Sequence, residues 1–296
     1  MLKYMLLSMP VTMIILDVPL HVTSIWLPIY GNDPISTGSL GCGIVIRPGV
    51  RLTIMPAAGP IKYDIDHIDL TFRKLGVNAE VNYSSPVQLG VGYGMSAALA
   101  LGTALGAAVI AHKPLIKAAQ VAHMIEVRLG TGLGDVIAEY YGGGIELRLR
   151  AGAPGVGIID KIPYSQDLMI VTVDLGKYLT SDMLQELKDK LVTLGRRYID
   201  ELINEPTYEK FTELSTAFSR EIGFLTRDLE GRVRPCVRHA DAYYVKKKVL
   251  VFLTHRDEAE ALINCLRSVG YEAKVFEPSN EGIRVVIDKD TPNKVH

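Results

Sequence analysis

Ser85-Pro86-Val87-Gln88-Leu89-Gly90-Val91-Gly92-Tyr93-Gly94-Met95-Ser96-Ala97-Ala98 is a glycine-rich loop running into an Ala/Leu-rich helix, with one hydroxyl at the junction. Glycines at 90, 92 and 94 let backbone N–H groups come close to an anion. The helix start adds unpaired donors and a partial positive charge. Together they make a seat for phosphate. Ser96 stands where a hydroxyl can ligate a phosphate-bound Mg²⁺. Upstream, residues 78–84 read as a strand that delivers the chain to this loop.

Downstream, Ser96 to Ala111 reads as a first helix, and Pro114 to Leu129 as a second, with proline in its first turn where the missing N–H is harmless. On the second helix Leu115, Ala119, Ala122 and Leu129 share an apolar stripe, and Glu126 falls in its middle. A buried carboxylate needs a cation or a metal. Arg128 or a remote arginine would serve as the cation, but the phosphate-shaped loops nearby favour the metal. His123, one turn earlier, reads either as a core histidine with a local hydrogen bond or as a grip on substrate. In Gly130-Thr131-Gly132-Leu133-Gly134-Asp135 the alternating glycines make a tight turn with room for a ligand. Asp135 then opens a helix, either as its N-cap or as a base placed at a bound hydroxyl.

The totals narrow the class. The chain has 296 residues, 48% hydrophobic and 22% charged, as expected of an ordinary soluble protein with a full core. With 32 basic against 33 acidic residues it lacks the excess of a general nucleic-acid binder. Lys246-Lys247-Lys248, the one tight basic run, reads as a solvated strand entry. Cys42, Cys236 and Cys265 are scattered and odd in number, so neither a zinc site nor a disulfide framework is expected, and a reducing cytoplasm fits. Met1 to Leu16 is apolar, but Pro10 interrupts it and no small-x-small cleavage site follows, which disfavours a signal peptide. Residues 81–112 carry no Asp, Glu, Lys or Arg and include Gly102-x-x-x-Gly106. Their Ala/Gly richness fits a helix buried inside a core better than a membrane span, so no membrane partner is expected.

Strands are expected over 11–30, 44–47 and 51–55, with a turn at Gly31-Asn32-Asp33-Pro34. The stretch Ala151-Gly152-Ala153-Pro154-Gly155-Val156-Gly157 reads as a boundary, dividing the chain into 1–160 and 161–296. In the second part strands at 167–174, 248–254, 271–276 and 282–287 are separated by helices at 180–203, 206–223 and 257–269. That order is compatible with a ferredoxin-like α+β layer.

The phosphate loop, Glu126 and the Gly-Leu-Gly-Asp135 turn, in this order, resemble the GHMP kinase superfamily of galactokinase, homoserine kinase and mevalonate kinase. Its phosphate motif, Pro-x-x-x-Gly-Leu-Gly-Ser-Ser-Ala-Ala, is matched by Gly92-Tyr93-Gly94-Met95-Ser96-Ala97-Ala98, with Met95 in place of the first serine. Within the superfamily the chain is most similar to the archaeal pantoate kinases. Pro19-Leu20-His21-Val22-Thr23, Asp33 to Ser39, His123-Met124-Ile125-Glu126-Val127, Thr131-Gly132-Leu133-Gly134-Asp135-Val136, and Gly142-Gly143 leading to Arg148 carry the likeness. It covers roughly residues 16–160 and fades beyond. The superfamily's third glycine-containing motif is replaced by Arg238-His239-Ala240-Asp241-Ala242-Tyr243-Tyr244-Val245-Lys246, without glycine.

The resemblance implies a two-domain α/β fold. Its N-terminal half would resemble domain 2 of ribosomal protein S5 and its C-terminal half a ferredoxin. It implies ATP held by Gly90, Gly92, Tyr93, Gly94, Met95, Ser96 and Ala97, Mg²⁺ held by Ser96 and Glu126, and Asp135 as base. The implied reaction is phosphorylation of the 4-hydroxyl of (R)-pantoate for coenzyme A synthesis, in a cytoplasmic homodimer. The pantoate carboxylate needs a cationic grip, expected from Arg148 and His123, with His21 and Thr23 lining the same pocket and Arg150 competing for the role of Arg148. Mevalonate, shikimate or homoserine as acceptor, or nucleotide binding without transfer, are the alternative readings.

Overall fold

The computed structural model describes residues 13–176, 186–187 and 189–288. Its frame is a long antiparallel hairpin of β1 (Met13–Ile29) and β2 (Gly38–Pro56). β1 alternates buried and half-buried side chains at its start and is buried on both faces from Val18 to Leu27. Register shifts fall between Val18 and Leu20 and between Thr23 and Ile25. Such irregularities re-aim side chains, and the second lies where Thr23 meets the candidate site. β3 (Ala79–Ser84) pairs with the far end of β2, β4 (Ile145–Arg150) with its near end, and β5 (Ile158–Ile162) with β4.

Four helices pack with this sheet: α1 (Asp66–Leu75), α2 (Met95–Ile110), α3 (Leu115–Leu129) and α4 (Asp135–Tyr141). Every residue of α2 from Met95 to Ala108 is buried except Ser96. A Cβ on Gly102 would lie 2.5 Å from Leu52 Cδ1, and one on Gly106 would lie 2.4 Å from Ile54 Cδ1. The Gly-x-x-x-Gly pattern therefore lets the helix sit close on β2. No helix among the described residues is long and apolar enough to cross a membrane.

The later residues form β6 (Leu168–Asp174), α5 (Arg196–Asn204), α6 (Tyr208–Ile222), α7 (Arg227–Val233), β7 (Ala242–Lys246), β8 (Val249–His255), α8 (Ala259–Ser268), β9 (Ala273–Pro278) and β10 (Arg284–Asp288). Strands β9-β6-β8-β7 lie side by side, all antiparallel, in the ferredoxin-like arrangement. Two strands tie this layer to the first. β9 pairs with β2 at Ile46↔Pro278 and Arg47↔Glu277, and β10 returns to the edge of β1 from Met13↔Asp288 to Asp17↔Arg284. The last described strand thus belongs to the sheet of the N-terminal half.

Three sequence expectations fall differently. The helix expected over 180–203 lies partly outside the described residues. Its described end is α5, preceded by a π-helical turn at Leu191–Gly195. The opening apolar run also lies outside them, apart from residues 13–16, which are part of β1. Cys236 and Cys265 form a disulfide, with Cα atoms 5.5 Å apart, contrary to the expectation of free thiols. It joins the residue before a short 3-10 turn at Val237–His239 to α8. Twenty-nine positions separate the two cysteines, and only folding brings them together. Cys42 is free and buried.

Candidate active site

The phosphate loop is held at Tyr93, between its second and third glycines, by both side chain and backbone. The hydroxyl of Tyr93 donates toward Asp174 Oδ1 at 2.5 Å and lies 2.8 Å from Thr172 Oγ1, both on β6, while His21 N–H donates to Tyr93 O at 3.0 Å. Gly90, Gly92 and Gly94 take φ values of 90°, 135° and 71°, open to glycine at little cost. Gly94 is the N-cap of α2 and no side chain caps the helix. The first amides of α2 are therefore left to a ligand, and Ser96 is at the second helical position.

This loop lines a cavity of about 190 Å³ together with Thr23, His67, Thr131, Asp135, Lys246 and Lys247. A smaller neighbouring cavity, about 40 Å³, shares Thr23, Thr131, Asp135, Lys246 and Lys247 and adds Trp26, Ser39 and the turn Gly132-Leu133-Gly134. The first cavity has the donors of a phosphate site. The second adjoins it around the shared Thr23, Thr131 and Asp135.

Glu126 is buried on α3, and its partner is not an arginine. Its Oε1 lies 2.8 Å from His67 Nε2 on α1 and accepts from Thr131 Oγ1 at 2.7 Å. Its Oε2 is buried with no partner. A Cβ on Gly132 would lie 2.5 Å from that oxygen and 2.7 Å from Asp135 Oδ2. The two carboxylates thus converge on the space left by a missing side chain. An orphaned carboxylate oxygen beside a phosphate cradle fits a divalent cation. Among the described residues no three His, Cys, Asp or Glu gather as a metal cage. Mg²⁺ needs none, because one or two protein ligands and nucleotide phosphates usually suffice.

Asp135 begins α4 but does not cap it, since Gly134 is the N-cap and makes no side-chain cap bond. Its Oδ1 accepts from His21 Nδ1 at 2.7 Å and, at the long limit of 3.5 Å, from Thr23 Oγ1. Burial works against the charge on Asp135, but the His21 hydrogen bond and charge, followed by Lys247 and Lys246, overcome it and hold the carboxyl down at about 2. His21 is fully buried, and its Nε2 lies 3.0 Å from Glu146 Oε1. Burial lowers the His21 pKa, yet its bonds to Asp135 and Glu146 outweigh this and raise it, favouring the imidazolium that donates from both nitrogens. Glu139, one turn beyond Asp135, is buried with neither oxygen partnered. Burial, then the charges of Asp135 and Glu126, push its pKa well up.

Of the residues expected to grip the substrate, His21, His123 and Arg148 line neither cavity. His21 braces Asp135 from behind. His123 is buried and its ring Nε2 lies 2.8 Å from Thr37 O, the local bond of a core histidine, while burial lowers its pKa. Arg148 is only 1% exposed and bonds Glu146 through Nη1. It stands behind Gly134, where a Cβ would meet Arg148 Nε at 2.8 Å, with Nε and Nη2 unpartnered. Arg150 bonds Val156 O at the surface. Ala97 is fully buried and can offer the phosphate site its backbone alone. Thr23, Ser96 and Asp135 do line the cavities.

The lysine run is solvated only at its end, where Lys248 is exposed. Lys246 is 7% exposed at the end of β7, with Nζ 3.1 Å from the centroid of the Trp26 ring. Lys247 turns the chain into β8 at φ 54°, a conformation glycine adopts more easily. The Cβ of Gly92 would lie 3.1 Å from Lys246 O, so this turn closes over the phosphate loop. The only sequence signal was that the run ends the segment replacing the superfamily's third glycine motif.

The family model for the GHMP kinases N terminal domain matches residues 64–143, from the approach to α1 to the end of α4. A pantoate kinase of Thermococcus kodakarensis is 30% identical over 294 residues, covering 90% of this chain and 96% of that protein. The pantoate kinase of Methanocaldococcus jannaschii is 31% identical over 232 residues, covering 71% and 81%. A solved structure described as a phosphotransferase related to the CoA biosynthesis pathway superposes with a TM-score of 0.83 at 27% identity, covering 93% of this chain and 98% of that one. Likeness along nearly the whole length, with the family model laid over the loop, the acidic helix and the glycine turn, shows that the chain belongs to the pantoate kinases of the GHMP kinase superfamily.

Proposed function

We propose that this protein transfers the γ-phosphoryl group of ATP to the 4-hydroxyl of (R)-pantoate, giving 4-phosphopantoate and ADP in coenzyme A synthesis. The observation that carries the site assignment is the convergence of Glu126 Oε2 and Asp135 Oδ2 on the space beside Gly132, next to the phosphate cradle. The bond that forms joins the pantoate oxygen to the γ-phosphorus. The bond that breaks joins that phosphorus to the β–γ bridging oxygen.

The loop amides and the start of α2 would hold the phosphates, and Ser96 and Glu126 would hold Mg²⁺. When bound, Mg²⁺ neutralises charge on the β- and γ-phosphates. Asp135 accepts the hydrogen bond of the attacking hydroxyl and aims its oxygen. A carboxyl held at about 2 keeps a proton poorly, so Asp135 orients the hydroxyl and passes the proton on to solvent. In phosphoryl transfer most of the acceleration comes from position and charge stabilisation, which this arrangement supplies.

We place the reaction in the cytoplasm, with its ATP pool, in a homodimer as the family resemblance implies. The Cys236–Cys265 disulfide fits that compartment in cells where intracellular disulfides persist, notably those of hyperthermophiles. The deciding experiment gives purified protein Mg·ATP with pantoate, mevalonate, shikimate or homoserine and follows ADP release. Pantoate should be consumed and gain one phosphate by mass. ADP release with another acceptor and none with pantoate would overturn the substrate assignment.

A further inference from the structure

The two joined cavities differ in what surrounds them. The larger is walled by loop amides. The smaller is walled by Trp26, Ser39 and the glycine turn, and the one cationic side chain seated on its tryptophan is Lys246. Trp26 is 5% exposed, and its Nε1–H is buried without a partner. Behind the glycine wall stands Arg148, also with unpartnered nitrogens. Burial, then the positive charge of Lys247 and also that of Arg148, pull the Lys246 pKa well down, while Asp135 pulls it up.

Buried like charges are costly unless an anion joins them. Asp135 acts on Lys246 through space but is already bonded to His21. The face of Trp26 offsets part of the cost of burying the ammonium. Arg148 already holds Glu146, whereas no carboxylate is bonded to Lys246 among the described residues, and Lys246 lies beside the carboxylate that orients the acceptor hydroxyl. Both lysines line both cavities, and the turn they form lies against the phosphate loop, with Lys246 O 3.1 Å and Lys247 Cβ 3.3 Å from the place of a Cβ on Gly92.

We infer that Lys246, seated on Trp26, anchors the acceptor's carboxylate and makes the site select hydroxy-acid anions over neutral alcohols. The inference rests on the pantoate reading and names the residue that gives it specificity.

The test compares wild type, Lys246→Met and Lys246→Arg, with pantoate and its carboxamide analogue as acceptors at saturating Mg·ATP. The wild type should favour the carboxylate strongly. Lys246→Met should raise the KM for pantoate about 100-fold and lower the acid-over-amide ratio of kcat/KM by a similar factor, with partial recovery of that ratio in Lys246→Arg. Its melting temperature should not fall, because an unpaired buried cation is removed. Trp26 is the single tryptophan of the chain, so its fluorescence gives a second readout without nucleotide. Pantoate should change the wild-type emission saturably and the carboxamide should not. A Lys246→Met protein with unaltered pantoate KM and acid-over-amide preference overturns the inference, as does wild-type emission that responds to neither or to both compounds alike. A wild type that phosphorylates no pantoate overturns the functional reading instead, and the emission titration still tests whether Lys246 holds a carboxylate.

Discussion

His21 Nδ1 donates to Asp135 Oδ1 across 2.7 Å, from a strand 114 positions earlier in the chain. This bond fixes one carboxylate oxygen and leaves the other facing the cavity. Asp135→Asn should cut kcat by about 10²–10⁴-fold, the range for a removed proton acceptor, while ATP still binds. Turnover near the wild-type value, with binding followed by calorimetry, would remove Asp135 from its role. His21→Ala should also lower kcat. It should destabilise the fold by roughly 3–5 kcal/mol in urea titrations, because Glu146 is left buried without that partner.

The same contacts set a pH window for stability. His21 has a raised folded pKa, so its contribution is complete below its ordinary value of 6.5 and is lost as pH climbs through the raised one. Asp135 is depressed from 3.8 to about 2, so its contribution is complete above 3.8 and is lost as pH falls toward 2. Melting temperature plotted against pH should therefore show a plateau that falls at both ends. A His21→Gln protein should lack the alkaline fall attributable to this residue; an unchanged alkaline limb would refute it.

Gly132 offers a test by addition. A methyl group there would sit 2.5 Å from Glu126 Oε2 and 2.7 Å from Asp135 Oδ2, within contact distance of both. Both oxygens are the ends of side chains that can swing, so the fold should survive. Gly132→Ala should lose about 100-fold or more in kcat with a wild-type circular dichroism spectrum, since small misplacements of reacting groups have effects of this size.

Glu126→Gln keeps the contacts of an amide oxygen but lowers the charge. The concentration of Mg²⁺ giving half-maximal rate should rise by about 10-fold or more, with partial recovery of rate at high Mg²⁺, in line with the loss of a carboxylate ligand. An unchanged Mg²⁺ dependence would leave Glu126 as a structural partner of His67 and Thr131.

Cys236→Ser should lower unfolding free energy by about 2–4 kcal/mol, the usual effect of losing a disulfide, and leave kcat intact. Neither cysteine lines the cavities of the site. Thiol titration of the unfolded, unreduced protein should find Cys42 alone; three reactive thiols would contradict the bond.

The parts of the site legible in the sequence are those encoded by neighbours. The loop before Ser96, the apolar stripe broken by Glu126 and the glycines before Asp135 each lie within one short stretch of the chain, the longest being Leu115–Leu129. The parts that were missed depend on distant pairing. His21 reads as pocket-lining until Glu146, on β4, is seen to take its other nitrogen. Arg148 reads as a grip, but the same Glu146 draws it into the core. Lys246 reads as solvated because a basic triplet usually is, and nothing local shows that β1 places Trp26 beneath it. Cys236 and Cys265 meet only when α8 packs on the sheet. Burial of polar groups is a tertiary property, and periodicity along one helix or strand reports only the part of it that the element makes with itself.

The edge of β1 is covered by β10, the last described strand to be synthesised. While the polypeptide is emerging from the ribosome, that edge presents unsatisfied amides to any passing extended segment until residues 284–288 arrive. Nascent chains halted before that point should recruit chaperones or aggregate, although they already contain every residue placed here around the nucleotide.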